Sequence, residues 1–227
     1  MGLRGKTAIV TGGTGSLGSE IVKRFLTEGI NVVVAARKAG AVPRGVELIP
    51  ADVTSEPDVV RLFKECGSKY GSVDIVVNAA GGFLSGKSLS EVTLDEWQHM
   101  MSLNLLSVFL CTREALRQMK GKHYGRVINF SALHAIEPVA NRAPYAVAKA
   151  GVSLLTEIVG KEVKGTGITI NAIAPSIILT EANKLSMPKE DFSKWVTPGD
   201  ITETICYLCS ESGGVINGTT LKAFGGV

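Results

Sequence analysis

Tyr145 and Lys149 stand four positions apart in "PYAVAK", and a phenol and an ammonium at that spacing can work as a proton-transfer pair. On a helix, residues i and i+4 share a face, so both side chains would point the same way. Pro144, directly before Tyr145, suits the first turn of such a helix. A free phenol titrates at about 10 and exchanges protons poorly at neutral pH. A neighbouring ammonium, together with the positive charge of an oxidised nicotinamide, would stabilise the phenolate and lower that value. A shift of roughly 2 to 3 units corresponds to about 3 to 4 kcal/mol, within reach of two nearby charges. The chemistry served is hydride transfer at carbon, with Tyr145 giving or taking the proton of the oxygen. Alone, a Tyr and Lys at this spacing are more often surface residues, so the rest of the chain must supply a cofactor site.

"VTGGTGSLG", Val10 to Gly18, supplies one. It follows a short apolar run and opens a helical pattern. Gly12, Gly15 and Gly18 provide a tight turn, room for backbone beside a pyrophosphate and close helix packing. The free N–H groups of the helix start face anionic oxygen. Thr14, Ser16 and Leu17 complete this cofactor-binding loop, and Leu17 begins the buried stripe of the helix. At the end of the next apolar run, where an acid would select NAD, the chain carries Ala36, Arg37 and Lys38. A guanidinium there suits the 2′-phosphate of NADP, so NADP(H) is the preferred cofactor and NAD(H) a possible one. Asp52 and Val53 follow the third apolar run and Asn78, Ala79, Ala80 and Gly81 the fourth, at strand ends where ligands bind in such sheets. Asp52 could reach the adenine, and the small residues would let a cofactor lie close.

These positions need elements to hold them. Seven short β-rich runs ("KTAIV", "NVVVAA", "VELIP", "DIVVNAA", "RVINF", "ITINAIA" and "TTLKAF") alternate with helical patterns. The runs are continuously apolar rather than alternating, as expected where both faces of a sheet are covered. That predicts one α/β domain over residues 1–227, a doubly wound Rossmann arrangement with a parallel sheet of about seven strands. One crossover breaks the rhythm: between Arg37 and Val46 lies only "KAGAVPRG", too short and too rich in small residues and Pro43 for a helix.

The chain of 227 residues, with 45% hydrophobic and 20% charged residues, is long enough for a full core and ordinary for a globular protein. A net charge of +3 with scattered Lys and Arg gives no reason to expect a nucleic-acid partner. No apolar run reaches the roughly 18 residues of a membrane helix or forms a signal-peptide core, which points to the cytoplasm and away from a membrane. The four cysteines do not read as a secreted disulfide framework. Cys206 and Cys209 form a CxxC inside "ITETICYLC", which reads as a buried helix face rather than a metal site.

Taken together, "TGGTGSLG", "NAAG", Asn104 in "MSLNLLSVF", Tyr145 with Lys149, and "PSIILT" at 175 to 180 resemble the short-chain dehydrogenase/reductase family along essentially the whole chain. The resemblance implies an NAD(P)-dependent oxidoreductase acting on a small-molecule alcohol or carbonyl. In it, Tyr145, Lys149 and Asn104 are catalytic, Asn104 holds a water in a proton relay from Lys149, and Lys149 bonds the nicotinamide ribose. It also places Pro175, Ile178 and Thr180 beside the nicotinamide, the last two on its carboxamide. A homodimer or homotetramer is implied, built on the helices containing Leu105 and Leu154.

Two departures stand out. The family's middle loop glycine falls where this chain has Ser16, and its catalytic serine falls at Ala132, with Ser131 aimed to the other side by strand alternation. Both features are similar to the dihydropteridine reductase branch, as are the short second crossover and "SMPKEDFSKW"; that branch, however, has an acid where this chain has Ala36 and Arg37. Phe83 in "AGGF" matches its aromatic near a flat pterin ring. Phe83, Ser131 and His134 are candidate substrate residues, with Asn141 at the pocket mouth, and Met187, Phe192 and Trp195 could form a lid. "TPGD", 197 to 200, reads as a helix cap. Two other readings are a dihydropteridine reductase-like enzyme and a non-catalytic nucleotide sensor or scaffold.

Overall fold

Each apolar strand presents alternate residues to opposite faces, so the chain must cover the sheet twice. In the computed structural model, which describes residues 2–38 and 41–227, seven strands form one sheet. They are β1 (Thr7–Thr11), β2 (Asn31–Ala36), β3 (Glu47–Pro50), β4 (Ile75–Asn78), β5 (Gly125–Phe130), β6 (Ile168–Pro175) and β7 (Thr220–Ala223). Their order is β3-β2-β1-β4-β5-β6-β7, and every pairing is parallel. Ile9 of β1 and Val76 of β4 face one core, shared with α2 (Glu56–Tyr70), α4 (Ser107–Met119) and α6 (Ala143–Glu162). Ala8, Val10 and Val77 face the other, covered by α1 (Ser16–Thr27) and α8 (Pro198–Cys209). This is the doubly wound Rossmann-type domain the sequence predicts.

Strand order reverses at β1 and β4, which stay paired to Thr11 and Asn78; the chain leaves them toward opposite faces of the sheet, and the crevice outside these ends is the usual ligand position in such sheets. The connection from β2 to β3 has no helix among the described residues, as expected; Ala39 and Gly40 of that crossover lie outside the described residues. Val46 N–H donates to the Pro43 carbonyl at 3.1 Å in a turn before β3, and Arg37 is exposed at the end of β2. The helical run after β4 is α3 (Leu94–Met101) and α4 joined by a π turn, Ser102–Leu106, a local widening that places Asn104 inward.

α8 begins where the sequence places it: Thr197 Oγ accepts the Asp200 N–H at 3.1 Å while the Asp200 carboxylate accepts the Thr197 N–H at 3.2 Å. Cys206 and Cys209 sit on its buried face, and burial pushes the Cys206 thiol up to about 11, so it is protonated and unreactive at neutral pH. Among the described residues no helix is long and apolar enough to cross a membrane.

Candidate active site

The crevice at the strand ends is a cleft of about 480 Å³ whose walls include Gly12, Gly15, Arg37, Asp52, Val53 and Gly81. Thr14, Ala79 and Ala80 also line it. Gly18 sits one turn into α1, where any Cβ would collide with the Gly12 carbonyl oxygen; the loop closes this tightly only with glycine there. Gly15 caps α1 without a side-chain bond and the first turn carries no acid, so the helix N–H groups and dipole are left for an anion. Asp52 Oδ1 accepts from the Thr54 N–H and hydroxyl at 2.9 and 2.7 Å, which fixes the carboxylate at the rim. The residues present therefore fit a dinucleotide. His99, Ser102 and Leu103 contribute from the α3 end and the π turn. Sequence reasoning missed them, because only the π turn brings that wall to the cleft.

Lys149 and Asn104 meet at Gly81. A Cβ on Gly81 would lie 2.9 Å from Asn104 Oδ1 and 3.6 Å from Lys149 Nζ, so this glycine makes room for both. The buried Lys149 ammonium donates to the Phe130 carbonyl at the end of β5, 2.8 Å away. Burial lowers its pKa to about 8. Asn104 Oδ1 accepts the Gly82 N–H at 3.1 Å and its amide donates to the Met100 carbonyl at 3.2 Å. The side chain thus braces the Gly81–Gly82 backbone.

Tyr145 lies one helical turn before Lys149 on α6, its ring edge-on to Phe83 with centroids 4.9 Å apart. The sequence expectation was a lowered phenol pKa; with the chain's own groups the shift runs the other way. Burial raises it to about 12, opposed only by the charge of Arg142. The chain alone holds Tyr145 as a neutral proton donor.

Two expected site residues turn inward. Ser131 is buried, donates to the Lys149 carbonyl at 3.0 Å and accepts from Ser153 at 2.8 Å, so its hydroxyl anchors α6 rather than facing substrate. Asn78 donates through Nδ2 to Asn129 Oδ1 at 2.8 Å within a buried polar chain that continues to Thr156. Its side chain braces β4 against β5 instead of entering the cleft. Ser16, Leu17 and Gly18 form the first turn of α1.

On the opposite side, Pro175 ends β6, Ile178 bridges Val196, and Thr180 caps α7 (Glu181–Ser186) by accepting the Asn183 N–H at 3.2 Å. Trp195 is buried and Phe192 tilts against it at 4.7 Å, so of the expected lid aromatics Trp195 serves as packing. His134, in α5 (Leu133–Ile136), bonds the Arg142 guanidinium. Burial first, then that positive charge, pushes its pKa down, and the imidazole is neutral at pH 7. Arg142 was not singled out from the sequence; its place as the residue just before the Tyr145 helix was the available signal.

A doubly wound sheet with a glycine loop at its switch point and a Tyr/Lys helix beside the cleft defines a dinucleotide-dependent oxidoreductase. The family model for short chain dehydrogenases matches residues 6–191, and the chain belongs to that family. It is 34% identical to the 3beta-hydroxysteroid dehydrogenase 1 of Eggerthella lenta, over 99% of this chain and 94% of that one. It is 32% identical to a 3-oxoacyl-[acyl-carrier-protein] reductase FabG of Staphylococcus epidermidis, over 98% of each. The crystal structure of a short chain dehydrogenase from Bacillus anthracis superposes with a TM-score of 0.88 at 28% identity, covering 99% of this chain and 97% of that one. The protein is an NAD(P)-dependent oxidoreductase.

Proposed function

We propose that the chain is an NADP(H)-preferring oxidoreductase that moves hydride between the nicotinamide and a carbonyl or alcohol carbon, with Tyr145 as acid/base. The observation that carries this reading is the convergence of Lys149 and Asn104 on Gly81 at the cleft edge, with Tyr145 one turn away on the helix face of Lys149. In the reducing direction the neutral phenol donates its proton to the substrate oxygen, and the Lys149 ammonium, one helical turn on along the same face, stabilises the phenolate left behind. Lys149 is held in register for this by the Phe130 carbonyl.

Arg37 supports the cofactor preference: it is exposed, lines the cleft and has no carboxylate partner among the described residues. The names of the two relatives, a hydroxysteroid dehydrogenase and an oxoacyl reductase, support alcohol/carbonyl interconversion while differing in the rest of the substrate. Four buried free thiols suit a reducing compartment, and we place the protein in the cytoplasm. An apolar groove between the π turn and α6, with Leu105, Phe109, Leu154 and Ile158 in its walls, supports self-association into a dimer or tetramer.

The test is oxidation of NADPH and of NADH against a mixed panel of ketones, aldehydes and a quinonoid pterin, the last because Phe83 offers an aromatic edge beside Tyr145. Oxidation of NADPH by at least one carbonyl, faster than with NADH, is expected. Binding of NADPH with no turnover across the panel would favour a sensor instead.

A further inference from the structure

Arg142 immediately precedes α6, three residues before Tyr145. It is half-buried, yet none of the chain's ion pairs among the described residues includes it. Its Cζ lies 5.5 Å from the centroid of the Phe83 ring, and the same ring meets the Tyr145 ring at 4.9 Å. One aromatic side chain therefore stands between an unpaired cation and the phenol.

His134 takes only one corner of the guanidinium, Nη1. A guanidinium can only donate, so His134 Nε2 accepts and the ring proton sits on Nδ1. That Nδ1 is buried and makes no hydrogen bond of normal geometry; the Glu137 backbone only leans on it, a pull outweighed by burial and by the charge of Arg142. With the imidazole neutral and no acid in the first turn of α6, nothing there offsets the charge of the guanidinium.

The placement is constructed rather than incidental. Asn141, just before Arg142, has φ of 63° and is the one non-glycine residue with positive φ among the described residues. Asn is one of the few residues that adopts this left-handed turn readily, and it sets the direction in which the chain enters α6. The Asn141 carbonyl accepts the Gly86 N–H at 3.0 Å, tying the Arg142 turn to the loop that carries Phe83.

We propose that Arg142 is the carboxylate-recognition residue of the substrate site, held by His134, and that the substrates are oxo acids or hydroxy acids with the reacting carbon a few bonds from the carboxylate. This deepens the reading of Tyr145 as acid/base and rests on it. A lone guanidinium fork matches the single charge and planar oxygens of a carboxylate, whereas a phosphate dianion would keep one charge uncompensated.

The experiment compares pyruvate, 2-oxobutanoate, 3-oxobutanoate and 4-oxopentanoate, each against its methyl ester, in the native chain and in Arg142→Gln, Arg142→Lys and Tyr145→Phe. For the accepted chain length, kcat/KM for the acid should exceed that for the ester on the order of 100-fold, as for a charge-assisted pair. Arg142→Gln should erase that preference, mainly through KM, and Arg142→Lys should recover part of it. Equal rates for acid and ester in the native chain, or an equal loss of both in Arg142→Gln, would overturn the proposal and leave Arg142 as a prop for Phe83. If Tyr145→Phe leaves both rates intact while Arg142→Gln still erases the preference, the acid/base reading fails and the carboxylate site stands. If no member is reduced, calorimetry with butyrate and NADPH-saturated protein decides: saturable uptake lost in Arg142→Gln supports the site, and no uptake overturns it.

Discussion

The cleft at the strand ends is lined largely by backbone and small side chains, Gly12, Gly15, Ala79, Ala80 and Gly81, whereas the proposed substrate side beyond Gly81 is a cluster of long side chains that lean on one another, Phe83, His134, Arg142 and Tyr145. The difference is physical. A phosphate loop works through main-chain N–H groups and absent Cβ atoms, so its requirements are met by glycine at fixed spacing. A substrate pocket works through side-chain contacts between segments distant in sequence, and no spacing rule encodes them.

The strongest challenge to this contrast is Tyr145→Phe, since it leaves the nucleotide end untouched. Removing the proton donor should cut turnover by about 10²- to 10⁴-fold while NADPH affinity, followed by fluorescence titration, stays within a factor of about two of the native value, a change of a few tenths of a kcal/mol. Unchanged turnover would remove Tyr145 from the mechanism. Arg37→Ala probes the opposite end. It should weaken NADPH by about 10- to 100-fold through loss of a charge-assisted contact and leave NADH nearly as before. Equal losses for the two nucleotides would sink the 2′-phosphate assignment.

Legibility from sequence follows the same division. All seven strand runs, the bare crossover after Ala36, the Thr197 cap and the buried face of Cys206 and Cys209 were readable, because apolar continuity, Pro and Gly placement and capping are local rules. The π turn at Ser102–Leu106 was not, since nothing in "SLNLL" separates it from ordinary helix. Its consequence, His99, Ser102 and Leu103 in the cleft wall, was hidden with it. The side-chain partners of Asn78 and Ser131 were hidden for a related reason: a polar residue at a strand end can face a ligand or the interior, and strand alternation pointed Ser131 away from the site without naming Lys149 or Asn78's partner Asn129. The burial that raises the Tyr145 phenol in the chain alone was not legible, because it depends on how α6 seats against the rest of the domain.

That shift gives a test that joins the two ends. Lys149 is held at about 8 and Tyr145 at about 12, both by burial. Reduction needs the phenol protonated and the ammonium charged. Tyr145 satisfies its condition at every pH below about 12, whereas Lys149 loses its proton as pH rises through about 8. The reduction rate should therefore be level below that midpoint and fall toward tenfold per pH unit above it, read from a pH profile of kcat/KM, which reports the enzyme before substrate binds. Lys149→Arg should abolish that midpoint, because a guanidinium does not titrate in this range. A midpoint that survives the substitution would assign it to another group.

The smallest effect separates placement from chemistry. β5 and the residue after it grip Lys149 at both ends: the Phe130 carbonyl accepts from Nζ, and the Ser131 hydroxyl donates to the Lys149 carbonyl. Ser131→Ala removes the second grip and leaves Ser153 without its acceptor, but the ammonium keeps the first. Two buried hydrogen bonds of about 0.5–1.5 kcal/mol each correspond to a fall in Tm of about 2 to 12 °C for a domain of this size, measured by calorimetry. Turnover should change by less than about threefold, under 0.7 kcal/mol of barrier. A loss approaching that of Tyr145→Phe would mean the hydroxyl swings to the substrate during catalysis, and would return Ser131 to the site from which its two partners exclude it.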